Sequence, residues 1–155
     1  LFMITLEPLL KSKLINEIFI STNSKIVEKY CKNNNIKTIW RGPNKSHTNE
    51  ALIDVLKYSY STLNKSYKYL ITILANSPGH TVSEVNKSIR MIETKKLSEV
   101  RSFNQFGEES GLLVFDIKEF MKKSHISSYI GMINSKAIEI HKIKDFVKFK
   151  KFNYS

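Results

Sequence analysis

Short apolar runs alternate along this chain with longer amphipathic segments, and that alternation constrains the fold more than any single motif. Glu17–Ser21, Ile36–Trp40 and Tyr69–Leu74 are compact runs, each followed by polar residues and then by apolar positions at helical spacing. Tyr69–Leu74 is apolar on both alternating sets, which predicts a strand buried on both faces at the centre of a sheet. Leu112–Phe115 and Ala137–His141 read as two further strands. Ile4–Lys11 reads as a helix with Pro8 in its first turn and Ile4, Leu6, Leu9 and Leu10, then Leu14 and Ile15, toward the core. Ser24 caps a second helix whose stripe is Ile26, Val27, Tyr30 and Cys31. Thr48 or Asn49 opens a third, running to Leu63. Thr81 or Ser83 caps a fourth, with Val85, Ile89, Met91 and Ile92 inward and Glu84 where the helix dipole favours an anion. Ile117–Lys123 is a short helix, and Ile143, Phe146, Val147 and Phe149 mark a last amphipathic stretch. Strand and helix in repeated alternation predict an α/β fold, a mostly parallel sheet with helices on both faces. No internal boundary is visible, so residues 1–155 read as one domain.

In such sheets ligands sit outside the carboxyl ends of the strands. That rule selects the loops at 21–24, 41–48 and 75–81, which hold most of the unusual polar residues. His47 and His80 both fall there, and Asn76-Ser77-Pro78-Gly79 directly follows the expected central strand. Glu139 and His141 alternate onto one face of the expected last strand, where a carboxylate and an imidazole could share a divalent ion or simply face solvent. The isolated glycines form neither a P-loop nor a dinucleotide fingerprint.

Composition excludes several classes. The net charge of +11 suggests nucleic acid, yet of the 25 basic residues all but Arg41, Arg90 and Arg101 are lysines spread along the chain. Base readout and bidentate phosphate binding favour arginine, so the reading is a solvated lysine surface and no nucleic-acid partner. No run approaches the roughly 18 apolar residues of a membrane span, and no membrane partner is expected. The lone Cys31 excludes a disulfide framework and a multi-cysteine zinc site. The first residues carry neither a basic leader nor a small-residue cleavage site, so the expected location is cytoplasmic.

Several stretches, in order, resemble the acylneuraminate cytidylyltransferase family, the CMP-sialic acid synthetase-like nucleotidyltransferases. They are PLLKSKLINEIFISTNSKIVEKYCKNNNIKTIWRGP (Pro8 to Pro43), SHTNEALIDVL (Ser46 to Leu56), ITILANSPGHTVSEVNKSIRMI (Ile71 to Ile92), ESGLLVFDIKEFM (Glu109 to Met121) and AIEIHKIKDF (Ala137 to Phe146). They are similar in turn to the family's helix and S-T-D turn, its S-D-T segment, its L-Q-P-T-S-P loop, its E-N-G segment and its D-I-D ending. The chain differs at Asn23 and His47, each in place of an aspartate, at Leu74 in place of the glutamine, and at His141 in place of the second metal aspartate. The family opens with a strand and a Gly- and basic-rich triphosphate loop, and this chain starts at the helix after them, so it is expected to be N-terminally incomplete relative to the family.

The resemblance implies a Rossmann-like nucleotidyltransferase that moves CMP from CTP to a sugar acid or related small anionic acceptor, releasing pyrophosphate. It implies nucleotide contacts at Arg41, Thr48 and Asn49, and acceptor contacts at Asn76, Ser77, His80 and Ser110. A divalent cation, Mg²⁺ or Mn²⁺, would lie at Glu139 and His141, and the resemblance is compatible with a homodimer. The alternative is a non-catalytic nucleotide-binding or assembly domain without the triphosphate loop.

Overall fold

A computed structural model describes residues 2–42, 51–122 and 129–153. Where the sequence shows no boundary, the chain divides into two compact units, one of residues 16–66 and one of residues 1–15 with 67–155.

The smaller unit is built on two parallel strands, β1 (Phe19–Thr22) and β2 (Lys37–Trp40), in register from Phe19 opposite Lys37 to Thr22 opposite Trp40. Helix α1 (Phe2–Lys11) precedes them in the chain and belongs to the larger unit. The crossover is α2 (Lys25–Asn33), capped as expected by Ser24, whose Oγ accepts from the Val27 N–H. Cys31 is fully buried, but Ile26 is 83% exposed, so the inward stripe of α2 is narrower than its sequence suggests. Helix α3 (Leu52–Ser61) buries Val55, Leu56 and Ser59. Its expected start at Thr48 or Asn49 lies outside the described residues.

The larger unit holds a four-stranded sheet ordered β3 (Tyr69–Ile73), β5 (Glu109–Asp116), β4 (Glu99–Phe103), β6 (Ile130–Asn134). β5 runs antiparallel to β3 and to β4, while β4 and β6 are parallel, so three of the four strands share one direction. The α/β class follows, with β5 as the reversed strand. α4 (Val82–Lys95) covers one face: Val85, Ile89 and Ile92 pack with Val100, Leu112, Val114 and Ile133. Because side chains alternate across a strand, Phe115 points to the other face, where its ring lies 4.4 Å from that of Phe120 on α5 (Ile117–Phe120). Asn104 closes the β4–β5 hairpin: its Oδ1 accepts from the Phe106 and Glu108 N–H groups, and Gly107 supplies a φ of +78°.

Four expectations are corrected. Tyr69–Leu74 is not central: β3 is a terminal strand of its sheet and only half-buried, and the buried middle strand is β5, with Leu112 to Phe115 between 0% and 6% exposed. Both runs are continuously apolar, and apolarity alone does not rank two such strands. α1 begins at Phe2, which places Pro8 inside the helix rather than in its first turn. Leu6 is buried and Leu9 and Ile15 pack on the core, but Ile4, Leu10 and Leu14 are exposed. β4 and β6 occupy segments read as connections. Ala137–His141 forms no strand; it is an irregular lead into α6 (Ile143–Asn153). No helix among the described residues is long and apolar enough to cross a membrane.

Candidate functional site

In the larger unit the carboxyl ends of β3, β4 and β6 meet the start of β5, since Ile73 pairs with Leu112 and Phe103 with both Glu109 and Asn134. The loop of residues 74–81 leaves β3 at this edge. Ser77 N–H donates to the Leu74 carbonyl, and Leu74 N–H to the Gly111 carbonyl, which seats the loop on the first residues of β5. Ser77 is fully buried, and its Oγ has no hydrogen-bond partner among the described residues. It packs where Gly111 has no side chain, at a φ of +83°.

His80 ends the loop and is 7% exposed. Its Nε2 lies 2.7 Å from the Ser110 carbonyl oxygen, which can only accept, so Nε2 carries the proton. Nδ1 faces the Ser135 hydroxyl at 3.2 Å and Glu84 Oε2 at 3.8 Å. Ser135 Oγ in turn accepts the Ala137 N–H at 3.0 Å. On the β5 side, Ser110 Oγ donates to Ser102 Oγ at 2.8 Å, and Ser102 Oγ also accepts the Leu112 N–H. Asn76, Ser77, His80 and Ser110, singled out from the sequence, are thus brought together at one sheet end, where the last three are buried beneath the surface. Ser102 and Ser135, their partners, went unnoticed because single serines in polar stretches carry no sequence signal.

Thr81 and Glu84 complete this edge as a reciprocal cap of α4. Thr81 Oγ1 accepts the Glu84 N–H, and Glu84 Oε2 accepts the Thr81 N–H at 2.6 Å. Burial works to raise the Glu84 pKa, but hydrogen bonds involving His80, the Thr81 N–H and Ser135 outweigh it, and the net shift is downward. A carboxyl whose pKa is lower in the folded state contributes stability above its unfolded range, about pH 4–5, and loses it as pH falls through the lowered value. Glu84→Gln is therefore expected to flatten the decline of Tm between neutral and acid pH. Parallel slopes for variant and wild type in a thermal series across that range would contradict it.

Glu139 and His141 do converge, though on an irregular segment: Glu139 Oε2 and His141 Nε2 are 3.0 Å apart, with the imidazole two-thirds exposed. The Ile140 N–H between them donates to the Asn76 carbonyl at 2.8 Å, tying this segment to the loop after β3. Asp145 Oδ2 accepts the His141 and Lys142 N–H groups at the start of α6. One carboxylate oxygen with one imidazole nitrogen is a donor pair that would suit Mn²⁺ better than Mg²⁺. Among the described residues no group of three or more His, Cys, Asp or Glu side chains is placed to hold a metal.

In the smaller unit, Arg41 directly follows β2 at the carboxyl end of the parallel pair. It is 5% exposed, and its N–H donates to the Thr22 carbonyl. Beside it Lys25 Nζ lies 3.7 Å from the centre of the Trp40 ring. Thr48, Asn49 and His47 lie outside the described residues.

No family model matches this chain, and no curated protein matches it in sequence. Solved structures do match its fold. A CMP:2-keto-3-deoxy-manno-octonic acid synthetase complexed with CTP has a TM-score of 0.76 and 9% identity, covering 97% of this chain and 86% of its own. A 4-diphosphocytidyl-2C-methyl-D-erythritol synthase from Anaerococcus prevotii has a TM-score of 0.68 and 12% identity over 96% and 83%. HddC from Yersinia pseudotuberculosis has a TM-score of 0.66 and 15% identity over 98% and 85%. This chain shares its α/β fold with these structures.

Proposed function

We propose that this protein binds CTP and transfers CMP to a sugar acid or related small anionic acceptor. An acceptor oxygen attacks the α-phosphorus, a new P–O bond forms, and the bond to the bridging oxygen breaks with its electrons leaving on pyrophosphate. The observation that carries the reading is the likeness over 97% of the chain to a synthetase complexed with CTP, with the polar residues gathered at the strand ends where such sheets take their ligands.

Arg41, Thr48 and Asn49 take the nucleotide, and Asn76, Ser77, His80 and Ser110 shape the acceptor side. Glu139 and His141 hold a divalent cation, which offsets phosphate charge when bound. The specific likeness to acylneuraminate enzymes, and a homodimeric state, belong to the same proposal.

Calorimetry on the full-length protein tests it. CTP is expected to bind more tightly than UTP or ATP. Arg41→Ala is expected to weaken CTP by about 1.5–3 kcal/mol, the scale of a charged hydrogen bond. Equal affinity for the three nucleotides, or an Arg41→Ala protein that folds and binds CTP unchanged, would count against the site. Pyrophosphate release on adding 2-keto sugar acids separates the transferase from a non-catalytic nucleotide binder.

A further inference from the structure

We propose that His80 is a positioning residue for the Glu139–His141 pair, acting through Ser135 rather than by touching a ligand; this rests on the reading of that pair as a cation site. Both ring nitrogens of His80 are already engaged inside the protein, Nε2 at the Ser110 carbonyl and Nδ1 at Ser135. Ser135 is the first residue after β6, and its hydroxyl holds the Ala137 N–H. Ala137 is fully buried and lies against Gly79, immediately before His80 in the loop: a Cβ built there would stand 3.2 Å from the Ala137 Cα. Two residues further on comes Glu139.

The segment carrying Glu139 and His141 has no strand ladder to fix it. The 74–81 loop holds it at two points that bracket Glu139, Ala137 through His80 and Ser135, and Ile140 through the Asn76 carbonyl. The path runs from the Ala137 N–H to Ser135 Oγ, from Ser135 Oγ to His80 Nδ1, which Glu84 Oε2 also faces at 3.8 Å, and from His80 Nε2–H to the Ser110 carbonyl. His80 thereby couples the start of β5 to the placement of two side chains on a different segment. Loss of a group bonded directly to a metal ligand costs about 10–100-fold in metal affinity; His80 and Ser135 act one step back, through the backbone that carries Glu139, which puts their effect at the lower end of that range.

Two substitutions of similar size separate this role from general support. His80→Asn keeps a polar amide atom where Nδ1 stands, and so keeps Ser135. His80→Gln reaches the Ser110 carbonyl with its amide nitrogen and loses Ser135. Mn²⁺ is titrated into the full-length protein, with and without CTP, and read by the free-ion EPR signal. His80→Gln is expected to weaken Mn²⁺ about 10-fold, with CTP affinity in the absence of metal unchanged, while His80→Asn stays near wild type. Ser135→Ala, which cuts the same path without altering His80, is expected to match His80→Gln. Amide exchange at Ala137 and Ile140 should quicken in His80→Gln and Ser135→Ala, but not in His80→Asn, with Val114 in β5 unchanged.

Equal effects of Asn and Gln, or faster exchange at Val114 as at Ala137, would overturn the positioning role. If wild-type protein binds no Mn²⁺, or Glu139→Ala leaves binding unchanged, the cation reading fails instead. The exchange pattern then decides alone whether His80 places this segment.

Discussion

Phe115→Ala is expected to cost about 3–5 kcal/mol of folding stability, the range for truncating a fully buried aromatic residue. Phe115 lies in the buried middle strand, opposite Leu70 of β3 and Glu99 of β4, with its ring against Phe120. It is 0% exposed, as is Phe120. α5 is a single short turn and cannot shift far to fill the space, so most of the cavity would persist. Ile26→Ala, on the exposed side of α2, is the contrast and should stay within about 0.5 kcal/mol of wild type. Urea denaturation measures both through the midpoint at constant slope. A loss below about 1 kcal/mol at Phe115 would mean that this face of the sheet is not packed as described.

Gly111→Ala is expected to cost about 2–5 kcal/mol, from two separable sources. The first is the backbone, since a φ of +83° is strained for any residue with a Cβ. The second is steric: the added Cβ would stand 2.2 Å from Ser77 Oγ and 2.7 Å from Ser77 Cβ, with Leu74 Cβ behind at 3.3 Å. Gly107→Ala isolates the first, because it shares a positive φ of +78° with open space around it. Combining Gly111→Ala with Ser77→Gly should return the steric part and leave the backbone part. If Gly111→Ala proved no more costly than Gly107→Ala in the same denaturation series, the close seating of the 74–81 loop on β5 would be wrong.

What could be read from the sequence follows from where apolar side chains are continuous. β1, β2, β3 and the core of β5 announce themselves because each is a compact run, and the caps at Ser24 and Thr81 because their acceptors stand one turn before an amphipathic stripe. β4 stays hidden because its sequence, Glu-Val-Arg-Ser-Phe, is polar at three of its five positions with no clean alternation, on a largely buried strand. Glu99 is fully buried with Arg101 Nε at 2.6 Å from its carboxylate, and no local pattern reports that pairing. β6 stays hidden because Gly131, which packs beneath Leu97 and Met91, reads as a turn. Ala137–His141 misleads in the opposite sense. Its apolar and polar residues alternate as in a strand, yet its backbone is held by a loop amide and carbonyl rather than by a neighbouring strand.

The same division holds at the site. The residues gathered at the sheet edge were legible because loops after buried strands are few. Their burial was not, because exposure depends on partners such as Ser102, Ser135 and Gly111 that are distant in sequence. His80 looks identical from the sequence whether it faces a ligand or a serine.

The reversed strand also bears on the order in which the sheet can be assembled. β4 and β5 are joined by a tight turn that Asn104 organises with its own side chain, so their pairing closes the shortest loop in the sheet. β3 reaches β5 only across the whole of α4, a far larger loss of chain freedom. The hairpin is therefore the cheapest nucleus in the larger unit, and it already contains the strand that becomes the buried middle. Strand polarity, which looks like a matter of topology alone, gives the chain a local starting point that an all-parallel arrangement of the same strands would lack.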